Sequence, residues 1–281
     1  MNFTQKLKQA VLSSGSHLCI GLDPNPELIP APFKKHFPSD TDLILNFCRQ
    51  VIEATKPYCC AYKPNIAFFE AYGSKGWGVL EEIIDSIPPG KIIIADAKRG
   101  DIGSTAEQYK RAYFGYLNVD AITLNPLMGF DTLDPFLDEA SKGIFVLTVT
   151  SNPGAADFLM RRFEGRMTMA SYIVEHLAKL EMQSDTHIGL VTGATQTVTL
   201  EHVIGKYPEA TLLIPGIGSQ GGSVEKLSLA LKNHRGIPIV SSSRSILYAG
   251  KNDENWLEKI ALKAAETQNK LNILSHEQPE T

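Results

Sequence analysis

The chain has 281 residues, 43% of them hydrophobic and 21% charged, with a formal net charge of -4. That composition excludes a disordered or fibrous protein and fits one large α/β barrel or two ordinary domains. The slight acidic excess argues against a general nucleic-acid binder but leaves room for a local site for a small anion.

No apolar stretch approaches the roughly 20 residues of a membrane span, and the opening MNFTQKLKQAVLSSG lacks the core of a secretory signal. Instead Phe3, Leu7, Ala10 and Val11 follow helical spacing, which predicts an amphipathic capping helix over residues 1–14. Short apolar runs then recur, predicting strands at 17–23, 59–65, 92–98, 121–126, 144–150, 188–192, 212–216 and 237–243. The gaps between them are long enough for crossover helices. Residues 42–56 carry Leu43, Phe47, Val51 and Ile52 on one stripe, and 170–182 and 224–232 read likewise. Residues 275–281 (SHEQPET) read as a frayed tail.

Eight βα units without an obvious linker predict a single-domain (β/α)8 barrel over 1–281, with a doubly wound open sheet as the alternative. The barrel is preferred because polar residues recur at the strand C-termini: Asp23, Lys63, Asp96, Lys98, Asn125, Ser151, Thr192 and Arg244. In a barrel those ends meet at one mouth, where active sites form. Cysteines 19, 48, 59 and 60 lack zinc-knuckle spacing and are expected as buried or semi-buried free thiols of a reducing cytoplasm. The seven histidines show no i, i+4 metal spacing.

The densest chemistry lies in ADAKRGDIGSTA, residues 95–106. Alternation puts Asp96 and Lys98 on one strand face, toward the mouth, and Ala95 and Ala97 on the other. Lys63 ends the preceding strand, within reach of Asp96. An array Lys63, Asp96, Lys98, Asp101 would give each charge an opposite neighbour, which buried charges require. The D-x-K spacing alone equally suits a salt-bridge cluster closing the barrel.

Two further strings bear on the choice. IPGIGSQGG places Gly216, Gly218, Gly221 and Gly222 after strand seven, before a helix starting near Ser223, so open backbone N–H groups and a helix N-terminus converge there. SSSRSILYAG after strand eight adds Arg244 as a bidentate clamp. Each alone suits a tight turn. Together they sit where barrels often bind phosphate. In GLDPNPE, Asp23 is placed either to accept from ribose hydroxyls or to cap a turn. In TSNPGAADF, Ser151 and Asn152 either read a base edge or cap a turn, and the long interval beyond suits a lid over the mouth.

These strings resemble the orotidine 5′-phosphate decarboxylase family, in its longer bacterial-type branch. Its signature D-x-K-x-x-D-I-x-x-T stands as Asp96, Lys98, Asp101, Ile102 and Thr105, and GLDP, YKPN, SNPG, PGIGSQGG and SRSI follow the family's order from Gly21 to about Gly250. The resemblance implies conversion of orotidine 5′-monophosphate to uridine 5′-monophosphate and CO2, without metal or organic cofactor. It implies Lys98 as the acid that protonates C6, Asp96 near the substrate carboxylate and Lys63 orienting it. It places Asp23 on ribose, Ser151 on the base, and Gln220 and Arg244 on phosphate. It also implies a homodimer in which Asp101, Ile102 and Thr105 complete the partner's site; the cysteines point to a cytoplasmic protein, and charge and hydropathy to no nucleic-acid or membrane partner. The rival readings are a Mg-dependent sugar-phosphate barrel of the same superfamily, such as a hexulose-phosphate synthase or ketogulonate-phosphate decarboxylase, and a non-catalytic nucleotide-binding barrel.

Overall fold

A computed structural model describes residues 1–163, 165–193, 200, 204–216 and 223–274. Eight parallel strands close into a ring: β1 (Leu18–Leu22), β2 (Ala61–Pro64), β3 (Ile92–Arg99), β4 (Ala121–Leu124), β5 (Gly143–Val149), β6 (His187–Thr192), β7 (Leu212–Pro215) and β8 (Pro238–Ser242). β8 returns to β1 through Leu18↔Val240, Cys19↔Ser241 and Ile20↔Ser242. This is the (β/α)8 barrel expected from the sequence, and closure rules out the open sheet.

The helices follow from apolar stripes and polar caps. Asp40–Thr55 starts on Ser39, whose side chain accepts from the Asp42 N–H, and buries Leu43, Phe47, Val51 and Ile52. Met169–Glu181 starts on Thr168, and Val224–Ala230 starts on Ser223. The first helix, Phe3–Ser14, opens with a capping box between Asn2 and Gln5. Its Phe3, Leu7 and Ala10 close the bottom of the barrel and belong to one interior cluster with Cys19, Ala61, Ile92, Ile94, Ala121, Phe145, Val191, Leu213 and Ile239, of which Val191 and Leu213 reach the mouth.

Those strand residues fix the parity of the wall. Side chains two positions on share a face, so Ala61 leads to Lys63, Ile94 to Asp96 and Ala121 to Thr123. The apolar layer at the bottom thus hands over to a polar layer at the C-terminal mouth. The opposite parity, with Tyr62, Ala95, Ala97, Ile122 and Leu124, packs against the helices. An antiparallel ribbon, Arg162–Phe163 against Met167–Thr168, lies in the interval after β5.

Among the described residues no helix is long and apolar enough to cross a membrane. All four cysteines are free and buried. Burial pushes the Cys59 thiol up to about 11 and that of Cys19 to about 12, so neither is a thiolate near neutral pH.

Candidate active site

Three of the four charges expected to form an array meet at the mouth. Lys63 Nζ lies 2.6 Å from Asp96 Oδ2, and Lys98 Nζ lies 2.5 Å from Asp96 Oδ1. Lys63 and Asp96 are buried, whereas the Lys98 side chain is half exposed. Burial alone would raise the Asp96 carboxyl, but the ammonium groups of Lys63 and Lys98 outweigh it and hold the carboxyl well below the ordinary range. Burial alone would lower the Lys63 ammonium, but Asp96 and then Asp23 outweigh it, so Lys63 stays charged.

Lys98 occupies left-handed backbone, φ 49°, which costs a side-chain-bearing residue about 1–2 kcal/mol. The ladder between β3 and β4 shifts register there, from Ala95↔Ile122 to Arg99↔Leu124. The Lys98 N–H donates instead to Thr123 Oγ1 at 2.9 Å, and that hydroxyl donates to Asp96 Oδ1 at 3.2 Å. Arg99 turns away from the mouth. It pairs with Glu70 and lies over the rings of Tyr109 and Tyr113. The charges packed into residues 96–101 are therefore distributed: Asp96 and Lys98 to the mouth, Arg99 to the helix side.

The ion cluster forms one wall of a cavity of about 220 Å³. Thr123, Ser151 and Asn152 add polar groups, and Leu147, Val191, Leu213 and Pro215 supply an apolar wall. Such a cavity, apolar with a few fixed polar groups, suits a small ligand held beside the lysine.

Asp23 follows β1 at the same rim. Its Oδ1 is buried and has no hydrogen-bond partner among the described residues, which leaves an acceptor free at the rim. Tyr248 fixes the loop: its hydroxyl accepts from the Asn25 N–H at 2.7 Å and donates to the Asp23 carbonyl at 2.8 Å. Gly21 is required beneath, since a Cβ there would fall 1.9 Å from Ser243 Oγ. Arg244, next along, is exposed and makes no ion pair among the described residues. Gly216 follows β7 at φ 99°, a conformation that favours glycine. Gly218, Gln220, Gly221 and Gly222 lie outside the described residues, as do 275–281.

Ser151 stands on the loop after β5 and reaches the cavity because Gly193 lets it pass. A Cβ on Gly193 would sit 2.9 Å from the Ser151 nitrogen. Asn125, one of the polar strand-end residues, has a local role instead: its side chain accepts from the Leu127 N–H. Among the described residues no three His, Cys, Asp or Glu side chains are grouped as metal ligands.

The profile of the orotidine 5′-phosphate decarboxylase / HUMPS family matches residues 16–260. The chain belongs to this family. It is 46% identical over 247 residues to the orotidine 5′-phosphate decarboxylase of Herpetosiphon aurantiacus, covering 88% of this chain and 90% of that protein. It is 40% identical over 277 residues to that of Porphyromonas gingivalis, covering 96% of each. Among solved structures, Leishmania donovani OMP decarboxylase superposes with a TM-score of 0.81 at 32% identity, over 98% of this chain and 99% of that one.

The decarboxylase signature is split by the fold. Asp96 and Lys98 line the cavity, whereas Asp101 has left it: its Oδ1 accepts from the Ile102 N–H at 2.8 Å. Ile102 and Thr105 are exposed. The expected fourth member of the charge array is thus absent from the cluster that Lys63, Asp96 and Lys98 form within this chain. Thr123, Tyr248 and the apolar wall went unmarked in the sequence reading. Alternation along β4 carried the signal for Thr123, because Ala121 and Thr123 share the inner face.

Proposed function

We propose that Lys98 is the general acid when this chain decarboxylates orotidine 5′-monophosphate to uridine 5′-monophosphate, a step of pyrimidine biosynthesis. Membership of the family and relatives at 40–46% identity support the reaction. One observation carries the role of Lys98: its ammonium stands on the cavity wall, held by a carboxylate whose other oxygen is held by buried Lys63.

The bond from C6 to the carboxyl group breaks, and its electron pair stays on C6 as CO2 leaves. The proton of Lys98 then forms the C6–H bond, and solvent returns a proton to the amine. Before transfer, the ammonium stabilises the charge growing on C6. Repulsion between Asp96 and the substrate carboxylate contributes little. At about 4 Å and an effective dielectric near 20 it is worth about 4 kcal/mol, against about 8–23 kcal/mol for typical enzymatic barrier reductions. Here two ammonium groups already offset the charge of Asp96. The larger share comes from placing a cation at C6, aided by remote phosphate binding.

The remaining roles follow position. Asp23, with its unpartnered buried oxygen, takes a ribose hydroxyl, and Lys63 orients the carboxylate end. Ser151 meets the base. Gly216 and Arg244 stand at the phosphate end, and the resemblance assigns Gln220 and glycines 218, 221 and 222, outside the described residues, to the same phosphate. Asp101, Ile102 and Thr105 complete the site of a second copy in a homodimer. Supporting this, Ile102, Leu127 and Met128 are large apolar side chains left exposed beyond the adjacent strands β3 and β4. Four buried free thiols suit a reducing cytoplasm. The test is CO2 release from orotidine 5′-monophosphate before and after EDTA. Undiminished release is expected. Activity lost to EDTA and restored by Mg2+ would favour the sugar-phosphate barrel instead, and no release would leave a binding barrel.

A further inference from the structure

We propose that Thr123 is a positioning residue that sets the catalytic geometry of Lys98 through a closed ring of hydrogen bonds. The inference rests on Lys98 as the acid. Between the pairs Ala95↔Ile122 and Arg99↔Leu124, three β3 residues, Asp96, Ala97 and Lys98, face one β4 residue, Thr123. A bulge of this kind re-aims side chains and breaks the ladder. It leaves the Lys98 N–H without a strand partner, and a partly buried N–H loses free energy unless it finds one.

The Thr123 hydroxyl supplies that partner and does a second thing at once. The Lys98 N–H donates to Oγ1 at 2.9 Å, Oγ1 donates to Asp96 Oδ1 at 3.2 Å, and the Lys98 ammonium donates to the same Oδ1 at 2.5 Å. Main chain and ammonium of Lys98 are thereby referred to one oxygen through one hydroxyl. Lys98 has a long side chain, half exposed and on left-handed backbone. Such a side chain samples many rotamers unless both its ends are fixed. Thr123 itself is fixed: it is buried, its backbone is in β4, and it pairs with Phe145 of β5. Only a residue that both accepts and donates closes the ring, which a hydroxyl does and a methyl does not.

Thr123→Val keeps shape and removes both bonds, while Thr123→Ser keeps the hydroxyl. Rates are expressed per site titrated with uridine 5′-monophosphate, so partial unfolding does not enter kcat. T123V is expected to lower kcat about 10- to 100-fold, the scale set by small misplacements of reacting groups. KM and product affinity should stay close to wild type, and T123S should recover most of the rate. A T123V enzyme with wild-type kcat per site, or a T123S enzyme as slow as T123V, would overturn the proposal. So would failure of T123V and Thr123→Ala alike to give titratable protein, which would assign the hydroxyl to stability. Lys98→Ala measured alongside separates the two claims. Turnover in K98A sinks the acid, whereas an inactive K98A beside an unimpaired T123V sinks only the role of Thr123.

Discussion

Lys63 and Lys98 hold opposite oxygens of one carboxylate, at 2.6 and 2.5 Å from Asp96. The two cations differ in surroundings. Lys63 is buried within the barrel mouth, and Lys98 opens to the cavity. A single anion therefore anchors a fixed positive charge on one side and, on the other, the ammonium proposed as the proton donor.

Removing that anion should cost stability as well as rate. Asp96→Asn leaves Lys63 buried and uncompensated, and breaking such a pair typically costs about 3–5 kcal/mol. Urea unfolding of D96N should show the loss, and turnover should fall with it. An unchanged unfolding midpoint would mean that the pair is not buried in solution. Because the folded Asp96 carboxyl is held low, its contribution is present above the unfolded value, near pH 4, and disappears only as pH falls through the folded value. Mild acid should therefore leave this cluster intact.

Buried histidines add acid sensitivity instead. His17 and His234 are buried, and burial lowers their affinity for a proton. Each bonds a backbone carbonyl at 2.8 Å, Pro238 and Ala210 respectively. Below about pH 6.5 the unfolded chain takes up protons that the folded chain refuses, so stability falls as pH falls. The urea midpoint should drop between about pH 7 and about pH 5, and His234→Asn should drop less over that range. A midpoint independent of pH would contradict this.

Arg244 should matter only to substrates that carry phosphate. A charged hydrogen bond is worth about 1.5–3 kcal/mol, so Arg244→Ala should lower kcat/KM on the nucleotide roughly ten- to a hundredfold. On the bare nucleoside, wild type and R244A should be similarly slow. Equal losses on both substrates would place Arg244 elsewhere in the mechanism.

Site sharing predicts complementation. Lys98→Ala and Asp101→Ala homodimers should each be inactive, because every site lacks one group. Mixed dimers should regain activity, since one site then draws Lys98 and Asp101 from the two unmutated positions. Activity that stays absent after subunit exchange, checked by tagged co-purification, would tie Asp101 to its own protomer.

Much of this was legible in the chain because strand alternation is strict. The apolar runs located all eight strands, and parity alone sent Asp96 to the mouth and Ala95 to the helices. The reach from Lys63 to Asp96 followed from adjacency in a ring. The bulge did not follow, because nothing in the local string requires three residues to face one across the β3–β4 ladder. Without it the left-handed Lys98 and the role of Thr123 stay hidden. Tyr248 was equally silent: its two hydrogen bonds span more than 220 residues, to Asn25 and Asp23. Asn125 stands at a strand end as read from the sequence, but its side chain serves its own turn.

The most direct measurement is turnover of carboxyl-labelled orotidine 5′-monophosphate in D2O, by wild type and Lys98→Ala side by side. Wild type should release labelled CO2 and yield uridine 5′-monophosphate carrying deuterium at C6. K98A should bind the product but release no CO2. Decarboxylation retained in K98A, with deuterium still delivered to C6, would contradict Lys98 as the acid.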